Sequence, residues 1–450
     1  MPKYKKSVFL FRRDLRLEDN TGLIHALKNS EKVIPCFIID TEIMNEVKKS
    51  TFRIKFLHES LLDLDEQLNK KKSNLKKFKG NIEDCLKRII SEQKIDAVFF
   101  NGDYTKFAQK KENQIKKICN QKDVDFNKYA DYLLHIPDEI HTKDQKPYTV
   151  YSHFFKTART IPVRRCIRND LNNFHQGRID GELPSEVKNK NIEKFTGGRK
   201  NGINILKKTI QFKDYEKTRD YPALDTTGLS PHIRFGTVSI REVYHEIKNN
   251  LGEDHALINQ IYWREFFTHI LYYYPNSQFE SFKKKFIKIK WNQNKQQFLA
   301  WSKGETGFPI IDAGMRQLNT TGFMHNRIRM LVASFLTKDL HINWKLGERY
   351  FAEKLIDYDP AVNVGNWQWA ASTGCDAVPY FRIFNPWLQQ EKFDPNCHFI
   401  KKWIPELEKV EPNEIHNLWK RQTKSSTYPR PIVNHKIEAK KTKNIFKNQK

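Results

Sequence analysis

Over the first 130 residues, short apolar runs alternate with stretches of helical periodicity. SVFLF (7–11), VIPCFII (33–39), IDAVFF (95–100) and VDFNKYA (124–130) are rich in β-branched and aromatic residues, which predicts strands. Between them, residues 20–29, 51–69, 81–93 and 106–120 repeat apolar positions at helical spacing, which predicts amphipathic helices. Strand–helix alternation of this kind argues for a doubly wound parallel sheet in an α/β unit. No GxGxxG follows the first strand. FRRDLRLEDN stands there instead, so a dinucleotide cradle of the usual kind is not expected.

Beyond residue 130 the pattern changes. Residues 131–200 are weakly periodic and carry scattered prolines and charge, as in IPDEIHTKDQKP and GELPSEVKNKN, and they read as a crossing linker with local helices. From 201 onward the periodicity is helical, with segments at 239–250, 255–273, 308–320 and 324–340. The expected organisation is an α/β domain over 1–130, a linker over 131–200 and an all-α domain over 201–450. All nine tryptophans lie in that last part, at 263, 291, 301, 344, 367, 369, 387, 403 and 419, so it carries the chemistry or the larger core. The tail from 434 to 450, with six lysines and one glutamate, is expected to be frayed and solvated.

Composition narrows the function classes. At 450 residues with 38% hydrophobic and 29% charged residues, the chain fits a soluble globular protein with two substantial cores. Lys and Arg outnumber Asp and Glu by 79 to 53, for a net charge of +26, which favours a polyanionic partner. Six cysteines are scattered without CxxC or metal-like spacing, so a reduced, cytoplasmic protein without a metal site is expected. The apolar stretch near the N-terminus is too short for a signal peptide, and no run approaches a membrane span.

Three stretches of the helical part combine residue types suited to a ligand. TTGLSPHIRFG (226–236) places hydroxyls and a glycine before a helical segment, where exposed amides suit phosphate oxygens or make an ordinary helix cap. In HNRIRM (325–330), Asn326 and Met330 are four apart on one helix face with Arg329 adjacent, which suits an aromatic polar ligand or a packed salt bridge. LIDYDPAVNVGNWQWAASTG (355–374) adds Asp357, Asp359 and Asn363, then two tryptophans among small residues. Trp367 and Trp369, two residues apart, cannot line one pocket in the same way.

Taken with YEKTRD (215–220), YWREFF (262–267), GFPIIDAGMRQL (307–318), AVPYFRIFNP (377–386) and EKFD (391–394), these motifs resemble the DNA photolyase/cryptochrome family in that family's order. FRRDLRLEDN resembles its N-terminal signature. The resemblance runs from about residue 7 to the HK at 435–436 and is nearest to class I enzymes acting on cyclobutane pyrimidine dimers. It implies FAD in a U-shaped pose. Tyr215, Thr226, Thr227, Gly228, Leu229 and Ser230 match the phosphate-binding stretch. Arg329 and Asp357 match a pair flanking the isoalloxazine, Tyr358 and Asp359 match flavin contacts, and Asn363 matches the amide beside flavin N5. An amide there tolerates a reduced, anionic flavin where a carboxylate would repel it.

For the substrate, the resemblance matches Trp369 to the ring packing against a flipped thymine dimer and Trp263 to its partner. Gln260, Arg264, Asn326, Met330 and Gln389 join them, with Arg219 and Arg327 as DNA contacts. Extrusion of the lesion gives such rings a flat partner to stack on. Trp367, Trp344 and Trp291 match an electron relay to the surface. The implied partner is damaged DNA, met by a monomer without a membrane.

Two departures qualify the match. Position 260 is Gln where cyclobutane-dimer enzymes commonly carry Glu, but position 326 is Asn where six-four enzymes carry a second histidine, which favours the cyclobutane dimer. Leu257 occupies a position where some relatives carry tryptophan. NGDYTKFA (101–108) ends in Phe107-Ala108 where folate-binding members have Asn-Glu, so a deazaflavin, a second flavin or no antenna is expected rather than a folate. Blue-light repair by reduced FAD is the leading expectation. A cryptochrome-like photoreceptor or a six-four photolyase is the alternative, and plain nucleic-acid binding would explain the charge but not the flavin motifs.

Overall fold

In the computed structural model, residues 2–42, 50–177, 195–420 and 428–449 are described. The expected stretch GELPSEVKNKN lies outside them. The chain packs as two compact units, one of Met1–Tyr148, Ser152–Lys213 and Thr227–Pro275, the other of Thr149–Tyr151, Asp214–Thr226 and Asn276–Lys450.

The first unit is built on five parallel strands in the order β3-β2-β1-β4-β5, with β1 Tyr4–Phe11, β2 Ser30–Asp40, β3 Lys76–Gly80, β4 Ala97–Asn101 and β5 Asp125–Tyr129. Helices α1 (Thr21–Asn29), α2 (Thr51–Lys70), α3 (Ile82–Gln93) and α4 (Lys106–Gln121) fill the crossovers. Both faces of the sheet are covered. On β1, Phe9 and Phe11 pack with Leu23 and Leu64 on one side, while Val8 and Leu10 pack with Leu86 and Ile115 on the other. The four apolar strands and four helices agree with the periodicity. β3 escapes it, because KKFKG is an edge strand with Phe78 as its one buried apolar side chain, and lysines are usual at an edge. The chain order reverses between β1 and β4, the point beyond whose carboxyl ends α/β sheets bind ligands.

The second unit is helical around a core containing Trp301, Trp344 and Trp367. Its lysine-rich tail is not frayed: it forms a helix, His435–Lys447, capped by Asn434, with its lysines exposed. Phe446 packs on Phe286 and stacks on Tyr380, while His435 Nδ1 lies 2.5 Å from Asp339 Oδ1. Two buried side chains, Thr442 and Phe446, suffice to dock a segment whose average composition looks soluble.

Candidate functional site

In the second unit one cavity is walled by three helices: α5 (Asn326–Ser334), α6 (Trp344–Lys354) and α7 (Pro360–Ala370). Each starts from a side-chain cap, which fixes where its first turn begins. His325 Nδ1 accepts from the Arg327 amide at 3.2 Å, and Asn343 Oδ1 accepts from the Lys345 amide at 3.0 Å. The Asp359 carboxylate accepts from the amides of Ala361 and Val362 at 3.1 and 3.4 Å. Asp359 therefore anchors the helix that carries Asn363, Trp367 and Trp369.

The polar side of the cavity is an ion pair and an amide. Arg329 Nη2 donates to both oxygens of Asp357, at 2.9 and 3.2 Å, and Arg329 Nε donates to the Met324 carbonyl at 2.8 Å. Asp357 is nearly covered, but Arg329 keeps 24% of its side chain exposed. Asn363 Nδ2 donates to the Glu348 carbonyl at 3.1 Å and to Glu348 Oε1 at 2.9 Å. With both amide hydrogens so used, Asn363 Oδ1 remains as an acceptor. Burial pushes the Glu348 carboxyl above its ordinary range, against the hydrogen bonds from Asn363 and Tyr358. Met330, Ala333, Phe351 and Leu355 give the cavity an apolar wall. Asn326 Nδ2 sits 3.9 Å from Met330 Sδ, the two sharing a face as their spacing requires.

The two neighbouring tryptophans have different surroundings. Trp367 is 2% exposed, edge-on to Phe351 at 5.0 Å and to Trp301 at 6.1 Å, whereas Trp369 is half-buried. Gly347 makes room for the first ring. A Cβ there would lie 2.1 Å from Trp367 Cη2, so only glycine lets the indole reach the α6 face. Trp344 stands one turn earlier on that helix and is buried, and it lines a second cavity together with the part-buried Trp291. Elsewhere in this unit Tyr215 and Thr226 are half-buried, and the Arg219 amide bonds the Tyr215 carbonyl. Arg327 pairs with Asp220 at 2.6 Å and lies over the Phe393 ring. Gln389 has a buried Oε1 without a hydrogen-bond partner.

The remaining expected residues belong to the first unit. Thr227–Leu229 lead into the short helix Ser230–Phe235, with Gly228 at φ +67°, a left-handed conformation that favours glycine. On the helix Ala256–Tyr273, buried on most sides, Gln260, Trp263 and Arg264 form a part-exposed stripe at three- and four-residue spacing. Leu257, in contrast, is buried. Arg264 donates to the Tyr132 carbonyl at 3.0 Å, stacks over the Tyr132 ring and pairs with Glu265. Burial pushes the Glu265 carboxyl up to about 7, opposed by Arg264 and by the amides of Leu134 and His135.

At the carboxyl ends of β1 and β4, a small cleft is lined by Arg12, Arg13, Asp14, Asn101, Asp103 and Tyr132. Phe107 nearby in sequence is 42% exposed. No helix among the described residues is long and apolar enough to cross a membrane.

Family models agree with this architecture. Residues 7–166 match the DNA photolyase model and residues 257–448 match the FAD binding domain of DNA photolyase. The chain belongs to the DNA photolyase family. A deoxyribodipyrimidine photo-lyase from Buchnera aphidicola subsp. Acyrthosiphon pisum is 37% identical over 98% of this chain and 97% of its own length. One from Alkalihalophilus pseudofirmus is 34% identical over 97% of each. Among solved structures, an archaeal photolyase from Sulfolobus tokodaii with two FAD molecules superposes with a TM-score of 0.90 at 41% identity, covering 98% of this chain and 100% of that one. A bacterial class III photolyase from Agrobacterium tumefaciens gives 0.91 at 32%, covering 99% and 98%.

Within this photolyase chain the second-unit cavity suits a flavin by its chemistry: an apolar wall for a tricyclic ring, with guanidinium, carboxylate and amide groups for the polar edge of that ring. It brings together Asn326, Arg329, Met330, Asp357, Tyr358, Asp359, Asn363 and Trp367. Glu348 was missed by the sequence reading. Its signal is its register, because positions 344, 348 and 351 form one stripe of α6 that Leu355 follows just past its end, and Glu348 is the charged residue among Trp344, Phe351 and Leu355.

Proposed function

We propose that this protein is a deoxyribodipyrimidine photo-lyase that splits cyclobutane pyrimidine dimers in DNA under blue light, acting as a monomer. The observation that carries the reading is the cavity uniting the Arg329–Asp357 pair, Asn363 and Trp367. Reduced FAD, when bound there, supplies the light-excited electron that opens the cyclobutane ring and takes it back. The protein's own groups do the rest. Asp357 holds the Arg329 guanidinium flat and half neutralised, so that it can donate to a ring carbonyl without leaving a bare buried charge. Asn363, its amide hydrogens taken by Glu348, offers Oδ1 to an N–H, the donor a reduced flavin carries. Tyr358 and Asp359 support that wall, and Tyr215, Thr226, Thr227, Gly228, Leu229 and Ser230 are assigned to the phosphates and sugar.

Trp367, Trp344 and Trp291 pass an electron inward from the surface, which keeps the cofactor reduced. The family resemblance assigns Trp369 and Trp263 to stacking on a flipped lesion, Gln260, Asn326, Met330 and Gln389 to contacts with it, and Arg219, Arg264 and Arg327 to the strand. Six-four repair calls for a titrating histidine at the lesion. Here position 326 is Asn, and His325 is 3% exposed with Nδ1 engaged as a helix cap, which supports the cyclobutane substrate.

For the antenna we propose a flavin-type chromophore at the cleft beyond β1 and β4. The cleft lies where the strand order reverses, Arg12 and Arg13 stand on its wall beside Asp14 and Asp103, and Ala108 stands in the chain where folate-binding members carry a carboxylate. The Sulfolobus tokodaii neighbour with two FAD molecules is consistent with this choice. The function is tested by pre-reducing the protein and illuminating oligonucleotides that carry one cyclobutane dimer or one six-four lesion. Loss of the dimer alone is expected, and repair of the six-four lesion alone overturns the substrate assignment.

A further inference from the structure

The second cavity of the helical unit lies at the outer end of the proposed relay. Its volume is about 390 Å³, within the range of small-molecule sites, and Trp291 and Trp344 both line it. Lys290 and Lys345 stand on its wall against the single carboxylate of Glu280, and Asn343 adds a polar edge beside the indoles. The charge extends beyond the lining. Residues 283–295, KKKFIKIKWNQNK, hold six lysines and no acidic residue. An indole that has given up an electron must be refilled from outside, and here it opens into a basic hollow of ligand size.

We propose that this cavity binds an anionic, ring-bearing reductant that refills Trp291, with reduced nicotinamide nucleotides as the fitting chemical class. The aromatic walls accept a planar ring, and the lysines accept phosphate. The electrons balance. Each oxidised Trp291 takes one electron from the dihydronicotinamide, which loses a proton to solvent after the first transfer. The nicotinamide radical gives its second electron to the next oxidised Trp291, so one nucleotide leaves as NAD⁺ for every two electrons sent inward. The inference rests on the relay assigned above, and a surface used only for DNA phosphates is the competing outcome.

NADH is the probe, used with the full-length flavin-loaded protein. In the dark, calorimetric titration is expected to show saturable binding that Lys290→Glu/Lys345→Glu weakens by about tenfold or more. A duplex carrying a cyclobutane dimer should leave this binding intact. After a laser flash, the tryptophan radical signal should decay at a rate that saturates with NADH but stays linear with dithiothreitol, a neutral reductant. The charge-reversed variant should form the same radical yield and lose only the saturation. Linear dependence on both reductants, no dark binding, or displacement of NADH by the duplex overturns the proposal. Absence of any radical signal would instead contradict the relay itself, while the dark titration would still decide whether the site exists.

Discussion

The two units use arginine–aspartate pairs in opposite ways. In the first, Arg16, Asp19, Asp131 and Arg241 are each 3% exposed or less and pair with one another, with Arg241 bonding Asp19 at 2.8 Å and Asp131 at 2.6 Å. Burial alone would raise the Asp131 carboxyl, but Arg16 and Arg241 hold it well below the usual carboxylate range. In the second, Arg329 meets Asp357 with a quarter of its side chain open to a cavity. A fully covered network supports the fold, whereas a pair covered on one side has capacity left for a ligand. Exposure, more than the presence of a salt bridge, separates the structural set from the functional one.

The largest effect should come from breaking the covered set. Arg241→Ala leaves Asp19 and Asp131 buried beside too little positive charge and should cost about 3–5 kcal/mol, read as a shifted urea midpoint. A loss no greater than that of an exposed arginine would remove the distinction. Asp357→Ala should act on the ligand instead, weakening FAD retention by about 1.5–3 kcal/mol while the flavin-free protein unfolds at nearly the parent midpoint. Flavin content and spectrum identical to the parent would refute that assignment.

Smaller effects sharpen the contrast. Arg327, paired with a part-exposed Asp220, should trade that partner for a DNA phosphate, so Arg327→Ala should make the slope of log affinity against log salt shallower by about 1. An unchanged slope would return Arg327 to the structural class. Glu265 gives the last contrast, read against pH. Its folded value near 7 lies above the ordinary glutamate value of 4.5, so the stability it contributes is complete below about 4.5 and is lost as pH rises through 7. Melting temperatures of Glu265→Gln should therefore gain on the parent between pH 5 and pH 8, and a constant offset would contradict the buried, charge-averse carboxyl.

The sheet was legible because burial on both faces demands continuous apolar strands, and the amphipathic helices between them carry strong periodicity. β3 was not, since one phenylalanine among lysines makes no pattern. The tail helix failed for the related reason that only Thr442 and Phe446 are buried along it. At the cavity the sequence placed Asn326 and Met330 on one face and separated Trp367 from Trp369, as helical geometry requires. It could not show that Glu348 takes both amide hydrogens of Asn363, because that contact joins two helices that only tertiary packing sets side by side.

The central claim is that α7 carries a relay tryptophan inward and a substrate tryptophan outward, two residues apart. Light-driven loss of a cyclobutane dimer, measured with Trp367→Phe and Trp369→Ala both before and after chemical reduction of the flavin, tests it most directly. The account predicts that Trp367→Phe fails when oxidised and repairs at nearly the parent rate once reduced. Trp369→Ala should photoreduce normally yet bind dimer-containing DNA about 1–3 kcal/mol more weakly. The same defect in both variants, or recovery of Trp369→Ala by reduction, would contradict the division of roles.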